Sequence, residues 1–283
     1  MRLVALDFDG AFTDLRREFP VVREQFFSLM RARTKLSQRA LRQHYCEQLA
    51  VVRAAPHIHG WRNNGHVIAA GTVDPYIELR TVCELILQVT GALATEAERE
   101  KELDSYFGKL NPEIVSHFKP RAATVLTKVE QLGWPAIIVT NSHTGSVKAK
   151  LAALDNGRGL FPGLMTNVYG HAGKYVPDVL CADVPRAYLR VRGFDRPMLV
   201  RRAKHFAVLD KHRREHGLAW SDVIGVGDIF ENDLAMLFQL GGRVGLVDHH
   251  RVPHYEREFM WRHAPQTRLL RRDLSDTLRF ITE

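Results

Sequence analysis

The sequence has few cysteines and no long apolar run, and each shortage excludes a class of protein. Its 283 residues include only Cys46, Cys83 and Cys181, which are isolated and lack Cys-x-x-Cys spacing. Neither a disulfide framework nor a thiolate zinc site is therefore expected. No apolar stretch is long enough to cross a bilayer, and a strand-like run beginning at Leu3 leaves no room for a signal peptide. We expect a cytoplasmic protein with no membrane partner.

Acidic residues are outnumbered by basic ones, which points to an anionic partner. The formal net charge is +8, and the excess lies in residues 186–214, with ten Arg or Lys against two Asp, and in residues 15–55, with nine against three Glu. Neither segment interleaves aromatic residues as RNA-binding modules do. We interpret the excess as solvated faces that steer a small anionic substrate, with nucleic acid or another polyanion as the alternative partner.

An apolar run near the N-terminus ends in two carboxylates and a glycine, LVALDFDG. A buried parallel strand delivers side chains to its carboxyl end in this way, and its period of two places Asp7 and Asp9 on one side of the chain. Two neighbouring carboxylates need a cation, and oxygen donors without a nearby thiolate suit Mg²⁺ better than Zn²⁺. The stretch predicts a magnesium site, although Asp and Gly are also ordinary turn residues.

Two later apolar strands also end in polar residues. The strand PAIIV is followed by Thr140 and Asn141, whose neutral donors hold phosphate oxygens without repelling them. The strand VIGVG is followed by Asp228, and Asp233 comes shortly after it. These two carboxylates are predicted to bind the same metal or to support its ligands.

In this order the stretches resemble the motifs of the haloacid dehalogenase superfamily, whose phosphatases begin Asp-x-Asp-Gly-x-x-Thr-Asp and later carry Gly-Asp-x-x-x-x-Asp. The resemblance implies that Asp7 is the nucleophile and a metal ligand. It makes Asp9 the general acid and base, with its backbone carbonyl reaching the metal. It also assigns Thr140 and the Asn141 amide to the phosphate, and Asp228, with Asp233 as ligand or support, to the metal.

The same resemblance implies a catalytic, phosphate-binding lysine that neutralises the nucleophile and the transferring phosphoryl group. The spacing favours Lys204, because one helix and the return strand fit between it and Asp228. Lys174 is the alternative, and in that case residues 175–200 are an insertion. The alternation of residue types about Gly193 predicts a hairpin within that segment.

These signals predict an α/β fold, a doubly wound, Rossmann-like parallel sheet core with an inserted α-helical cap domain. The core is expected at 1–14 and 119–283 and the cap at 15–118, where residues 56–66 interrupt the helical pattern and are interpreted as a loop. The predicted function is a Mg²⁺-dependent phosphatase acting on a small phosphorylated metabolite through an aspartyl-phosphate. The alternatives are a phosphomutase or phosphotransferase, and a non-catalytic polyanion-binding protein on the same fold.

Overall fold

The computed structural model describes residues 1–110, 116–178 and 180–283, so residues 111–115 of the expected cap lie outside it. The chain divides into two compact units: Met1–Asp14 with Phe118–Glu283, here called the core unit, and Leu15–His117, called the inserted unit. Within the described ranges, no helix has both the length and the apolar composition of a membrane span.

The regular elements follow one another along the chain in a mixed order. In chain order the strands are β1 (Leu3–Leu6), β2 (Gly60–Asn63), β3 (His66–Ala70), β4 (Ala136–Val139), β5 (Val168–Tyr169), β6 (Tyr188–Leu189), β7 (Met198–Leu199), β8 (Val223–Gly227), β9 (Arg243–Val247) and β10 (Thr267–Leu270). The helices are α1 (Leu15–Thr34), α2 (Gln38–Ala54), α3 (Pro75–Val89), α4 (Glu96–Gly108), α5 (Ala122–Gln131), α6 (Thr144–Asp155), α7 (Pro162–Thr166), α8 (Ala203–Glu215), α9 (Ala235–Gln239), α10 (His254–Arg262) and α11 (Thr277–Thr282). A 3₁₀ turn, Trp220–Asp222, and a π-helical turn, Phe230–Leu234, flank β8.

The core unit is built on a parallel sheet of six strands in the order β10-β9-β8-β1-β4-β5. Residues of β1 alternate between two apolar layers, Leu3 and Ala5 in one and Val4 and Leu6 in the other. Helices α8, α9 and α10 contribute to the first layer, and α5, α6 and α11 to the second. Because successive side chains of a strand point to opposite faces, a strand covered on both faces must be apolar throughout. The predicted doubly wound α/β fold is confirmed.

The direction of strand addition reverses at β1, with β4 and β5 on one side and β8, β9 and β10 on the other. Leu6 lies opposite Ile138 of β4 and Val226 of β8, so the three central strands end close to one level. In open α/β sheets the crevice at such a reversal is where ligands bind. The polar residues that directly follow these strands are Asp7, Thr140 and Asp228.

The inserted unit is mostly helical and has an apolar core of its own. Helices α1 to α4 each contribute buried residues, among them Phe26 of α1, Leu41 of α2, Val82 of α3 and Leu103 of α4. Helix α4 begins at a capping box in which the Thr95 hydroxyl and the Glu98 carboxylate exchange hydrogen bonds with each other's backbone. This unit therefore has an apolar core separate from the two layers that pack on the sheet.

One prediction for the inserted unit is wrong. Residues 56–66 do not form only a loop, because they contain β2 and the start of β3, which pair as an antiparallel hairpin. Asn64 and Gly65 form its turn with φ of 50° and 76°. This is the left-handed pair that the Asn-Gly dipeptide adopts in a two-residue hairpin turn.

A second small antiparallel pair, β6 with β7, lies between β5 and α8 in the core unit. Gly193 lies in the connection between the two strands at φ 80°, a conformation that glycine adopts without strain. The hairpin predicted about Gly193 is therefore confirmed, and it separates the loop after β5 from α8.

Candidate active site

Three carboxylates gather at the carboxyl edge of the sheet. Asp7 follows β1, Asp228 follows β8, and Asp233 lies in the π-helical turn after β8. Among the described residues these three each place one oxygen within 4.8 Å of the others. The Ile229 N–H donates to Oδ2 of Asp233 (2.9 Å), which orients that carboxylate. An all-oxygen set of carboxylate donors suits a hard cation, so the residues fit a magnesium ion.

Gly10 makes the close approach of the N-terminal turn to Asp228 feasible. It has φ +82°, and a Cβ at this position would overlap the Asp228 carboxylate. Its N–H donates to Oγ1 of buried Thr13 (2.9 Å), and its carbonyl accepts a hydrogen bond from Nζ of buried Lys119. The Asp-Gly-x-x-Thr spacing therefore describes a turn that lets two strand ends meet.

Lys174 is the lysine that lies among the carboxylates. Its Nζ donates to Oδ1 of Asp7 (2.6 Å) and to Oδ1 of Asp233 (2.8 Å), and its side chain is only 3% exposed. Lys204 is exposed on α8, and its stem lies beside Gly173. The fold does not bring Lys204 to the carboxylates, so the position predicted for it is wrong.

The loop after β5 explains why Lys174 reaches the site. The Ala172 N–H donates to the Thr140 carbonyl (2.9 Å), and the Lys174 N–H donates to Oδ1 of Asn141 (2.8 Å). These bonds fasten the loop to the end of β4, next to β1. The β6–β7 hairpin lies between this loop and α8. Because of this insertion, the short sequence distance between Lys204 and Asp228 does not bring Lys204 to the site.

Burial and ion pairing shift the pKa values of Asp7 and Lys174 in opposite directions. Burial is the largest influence on Asp7 and raises its pKa to about 7, against the opposing effect of Lys174. Burial alone would lower the pKa of Lys174, but its ion pairs with Asp233 and Asp7 raise that pKa above its usual value. Lys174 is therefore a fixed positive charge, and a further cation beside Asp7 would favour its ionised form.

Asp9 is held outside the three-carboxylate cluster by two donors. Nζ of Lys150 on α6 donates to Oδ1 (2.5 Å), and Oγ of Ser142 donates to Oδ2 (2.6 Å). The side chains of Lys150 and Asp9 are 23% and 19% exposed, so solvent reaches both. The predicted metal contact of Asp9 was through its backbone carbonyl, and that contact stays a prediction.

Thr140 and Asn141 both lie at the site, in different roles. Thr140 is buried, and its Oγ1 accepts the Ser142 N–H (3.2 Å), which leaves the hydroxyl hydrogen as a donor. Asn141 uses its side-chain oxygen to hold the backbone of Lys174. Binding of phosphate by the Thr140 hydroxyl and the Asn141 amide stays a prediction.

Arg202 is the residue of the basic stretch 201–204 that does contact the site. It is fully buried and donates to the backbone carbonyls of Lys174, Leu199 (3.0 Å) and Glu231 (3.4 Å). Arg196 in the β6–β7 connection forms a bidentate pair with the Glu231 carboxylate (2.7 and 2.8 Å). These two arginines connect the loop that carries Lys174 and the turn after β8 to the β6–β7 hairpin. Part of the positive charge of segment 186–214 is therefore used in contacts within the core unit.

His249 and Lys119 also contact the backbone of the site, and the sequence did not single out either. Nε2–H of His249 donates to the Asp228 carbonyl (2.9 Å), while its Nδ1 accepts the Arg251 N–H (3.2 Å). Burial lowers the pKa of His249 to about 4, so the ring is neutral. Burial also lowers the pKa of Lys119, to about 8, partly opposed by Asp228. His249 comes just after β9, and its place after a parallel strand was the available signal.

Solved structures with the same architecture span nearly the whole chain. A predicted phosphoglycolate phosphatase from Haemophilus somnus 129PT is 17% identical, with a TM-score of 0.55 over 100% of this chain and 98% of that one. A putative HAD-hydrolase from Bacillus subtilis bound to magnesium is 14% identical, with a TM-score of 0.53 over 100% and 99%. A haloacid dehalogenase-like family hydrolase from Xanthomonas campestris is 12% identical, with a TM-score of 0.50 over 100% and 95%.

The sequence comparisons give no closer relationship, since no family model and no curated protein sequence matches the chain. At these identities the structural likeness establishes the fold. The chain has the fold of the haloacid dehalogenase superfamily, as the order of its motifs implied.

Proposed function

We propose that this protein is a Mg²⁺-dependent phosphatase that hydrolyses a small phosphomonoester through an aspartyl-phosphate on Asp7. The observation that carries the proposal is the Asp7 carboxylate, held at the sheet edge beside two further carboxylates and a buried ammonium. Asp7, Asp228 and Asp233 would hold the ion, which would offset the negative charge on the nucleophile and the phosphoryl group. The likeness to a predicted phosphatase and to a magnesium-bound HAD-hydrolase supports this choice.

In the first step an Asp7 oxygen attacks phosphorus in line, and the bond from phosphorus to the leaving oxygen breaks. Asp9 gives its proton to that oxygen, so that an alcohol leaves and not an alkoxide. Lys174 supplies a fixed positive charge beside the reacting carboxylate, while the Thr140 hydroxyl and the Asn141 amide donate to phosphoryl oxygens.

In the second step Asp9, now a carboxylate, accepts a proton from the water that attacks the aspartyl-phosphate. Inorganic phosphate leaves and the Asp7 carboxylate is regenerated. Ser142 and Lys150 hold Asp9 near the site between its two roles, so the same residue serves first as acid and then as base.

Asp9 is also the reason to favour phosphate esters over carbon–halogen bonds. A halide leaves without a proton, whereas an alkoxide leaving group needs one. Asp9 supplies a second carboxyl group, two residues from Asp7, that can carry such a proton. The cytoplasmic location and the small phosphorylated partner stay predictions from the sequence.

The proposal is tested by phosphate release from an aryl phosphate with Mg²⁺ and with a chelator. Asp7→Asn keeps the shape and removes the nucleophile's charge, so it should abolish turnover, and Asp9→Asn should lower it strongly. Exposed Asp183 offers a matched control, and Asp183→Asn should leave the rate unchanged. Near wild-type turnover in folded Asp7→Asn would refute the covalent mechanism, and full activity with the chelator would refute the role of the metal.

A further inference from the structure

His205 on α8 is a buried histidine that no step of the proposed reaction uses. It is 3% exposed, and among the described residues its buried Nδ1 has no hydrogen-bond partner. We propose that His205 is a positioning residue for Lys174, and that one buried water molecule joins His205 Nδ1 to the Lys174 ammonium. This inference rests on the proposed phosphatase function for its effect on turnover and adds a residue to that site.

A small cavity brings the two side chains together. Its volume is about 10 Å³, and its apolar wall comes from β1, β4, β8, α8 and α9. Its polar lining consists of Asp7, Lys174, His205 and Asp233. A cavity needs about 10–15 Å³ to hold one water molecule, and a buried water makes about three hydrogen bonds. The size and the lining therefore suit a single water molecule.

The Lys174 ammonium offers a donor to that water. An ammonium has three N–H groups, and in the described part of the chain Asp7 and Asp233 are the acceptors of two of them (2.6 and 2.8 Å). A buried charged group is costly unless its donors are satisfied. The water accepts the third N–H of Lys174 and donates to Nδ1 of His205, and its second hydrogen can reach a carboxylate of the lining.

The charge state of His205 fits this role. Burial, followed by the positive charges of Lys174 and Arg202, lowers the pKa of His205 well below its ordinary value. The ring is therefore neutral, and one of its two nitrogens is an acceptor. With the hydrogen on Nε2, Nδ1 presents its lone pair to the water and places no second positive charge beside the ammonium.

Helix α8 aims His205 at Lys174 because the same helix face is fixed on both sides of it. Arg202, which directly precedes α8, is fully buried and donates to the Lys174 carbonyl. Leu209 is buried in the apolar layer and lines the cavity. Residues three and four apart share a face of a helix, so His205 points the same way as these two neighbours. The helix thus holds the backbone of Lys174 through Arg202 and its ammonium through His205.

The test replaces His205 by leucine, which removes the acceptor, and by asparagine, whose side-chain oxygen can take the place of Nδ1. With Mg²⁺ and an aryl phosphate, His205→Leu should lower kcat about 5- to 20-fold, the range for one hydrogen bond. KM should change little, because the contact orients a charge and does not touch the ester. His205→Asn should retain most of kcat. His212 is also buried on α8 but does not line the cavity, so His212→Leu is the matched control and should leave kcat unchanged.

NMR of the folded protein without substrate decides the inference independently of turnover. The ¹⁵N resonance of His205 Nδ1 should be that of an unprotonated nitrogen that accepts a hydrogen bond. The Lys174 ammonium hydrogens should exchange with solvent more slowly in the wild-type protein and in His205→Asn than in His205→Leu.

The outcomes separate this inference from the proposed function. A protonated Nδ1, equal exchange of the Lys174 ammonium in the wild-type protein and His205→Leu, or equal losses of kcat in the leucine and asparagine variants would overturn the inference, and the phosphatase would stand. If no ester is hydrolysed although the NMR signals are as expected, the proposed function fails and the contact between His205 and Lys174 stands.

Discussion

Replacing Lys174 by methionine should disable the site and destabilise the core unit, whereas the same change at Lys204 should do neither. The Lys174 ammonium lies 2.6 and 2.8 Å from the Asp7 and Asp233 carboxylates, and its side chain is 3% exposed. Removing one partner from a buried ion pair costs about 3–5 kcal/mol. The loss of one electrostatic stabiliser should lower turnover about 10²- to 10³-fold. At exposed Lys204 the change in stability should stay within about 0.5 kcal/mol.

Urea unfolding with and without Mg²⁺, followed by phosphate-release assays on both variants, measures these effects. The difference in free energy of unfolding between wild-type protein and Lys174→Met should be smaller with Mg²⁺ than without it. The reason is that the carboxylates left without their ammonium are the proposed ligands of that ion. A larger loss of turnover in folded Lys204→Met than in folded Lys174→Met would refute this reasoning and restore the role predicted for Lys204.

Three further predictions concern the glycine turn, a buried acid and the basic surface. Gly10→Ala should lower the free energy of unfolding by about 1–3 kcal/mol and abolish Mg²⁺-dependent turnover, because of strain at φ +82° and overlap with Asp228. Gly145→Ala, in open space on α6, should instead stabilise by about 0.5–1 kcal/mol in the same urea assay, and equal effects would contradict the turn's role. Burial, then neighbouring carboxylates, raises the pKa of Glu256 to about 8. Between pH 4.5 and 8 the free energy of unfolding of the wild-type protein should therefore fall by up to about 1.4 kcal/mol per pH unit relative to Glu256→Gln. If the unfolding free energies of the two proteins instead change in parallel with pH, Glu256 is ionised in the folded state. Duplex or single-stranded nucleic acid should not bind at physiological ionic strength, and salt-sensitive binding that persists there would favour the polyanion-binding alternative.

The residues that end the central strands could be predicted from the sequence. Asp7, Thr140 and Asp228 each follow a short apolar run, and parallel strands in register bring their carboxyl ends to one edge. Such contacts depend on a local pattern and a general rule of sheet topology. This is why the carboxylate cluster and the fold could both be predicted without knowledge of side-chain packing.

The contacts that the sequence did not reveal depend on insertions and on helix packing. The spacing to Asp228 favoured Lys204, but the alternative, Lys174 followed by an insertion, is what the structure has, with the β6–β7 hairpin between Lys174 and α8. The pairing of Lys150 with Asp9 joins residues 141 positions apart through the packing of α6, which no local pattern encodes. The hairpin turn at Asn64 and Gly65 was different, because its dipeptide signal was present and was interpreted as a loop.

The most direct test of the central claim is to trap the phosphorylated enzyme. Asp9→Asn removes the base for the second step, so with Mg²⁺ and an aryl phosphate, whose leaving group needs little protonation, the aspartyl-phosphate should accumulate. After acid quenching and digestion, mass spectrometry should find one alkali-labile phosphoryl group on the peptide that contains Asp7, and the Asp7→Asn protein should show none. Turnover without a phosphorylated Asp7, or with the phosphoryl group on another residue, would contradict the account.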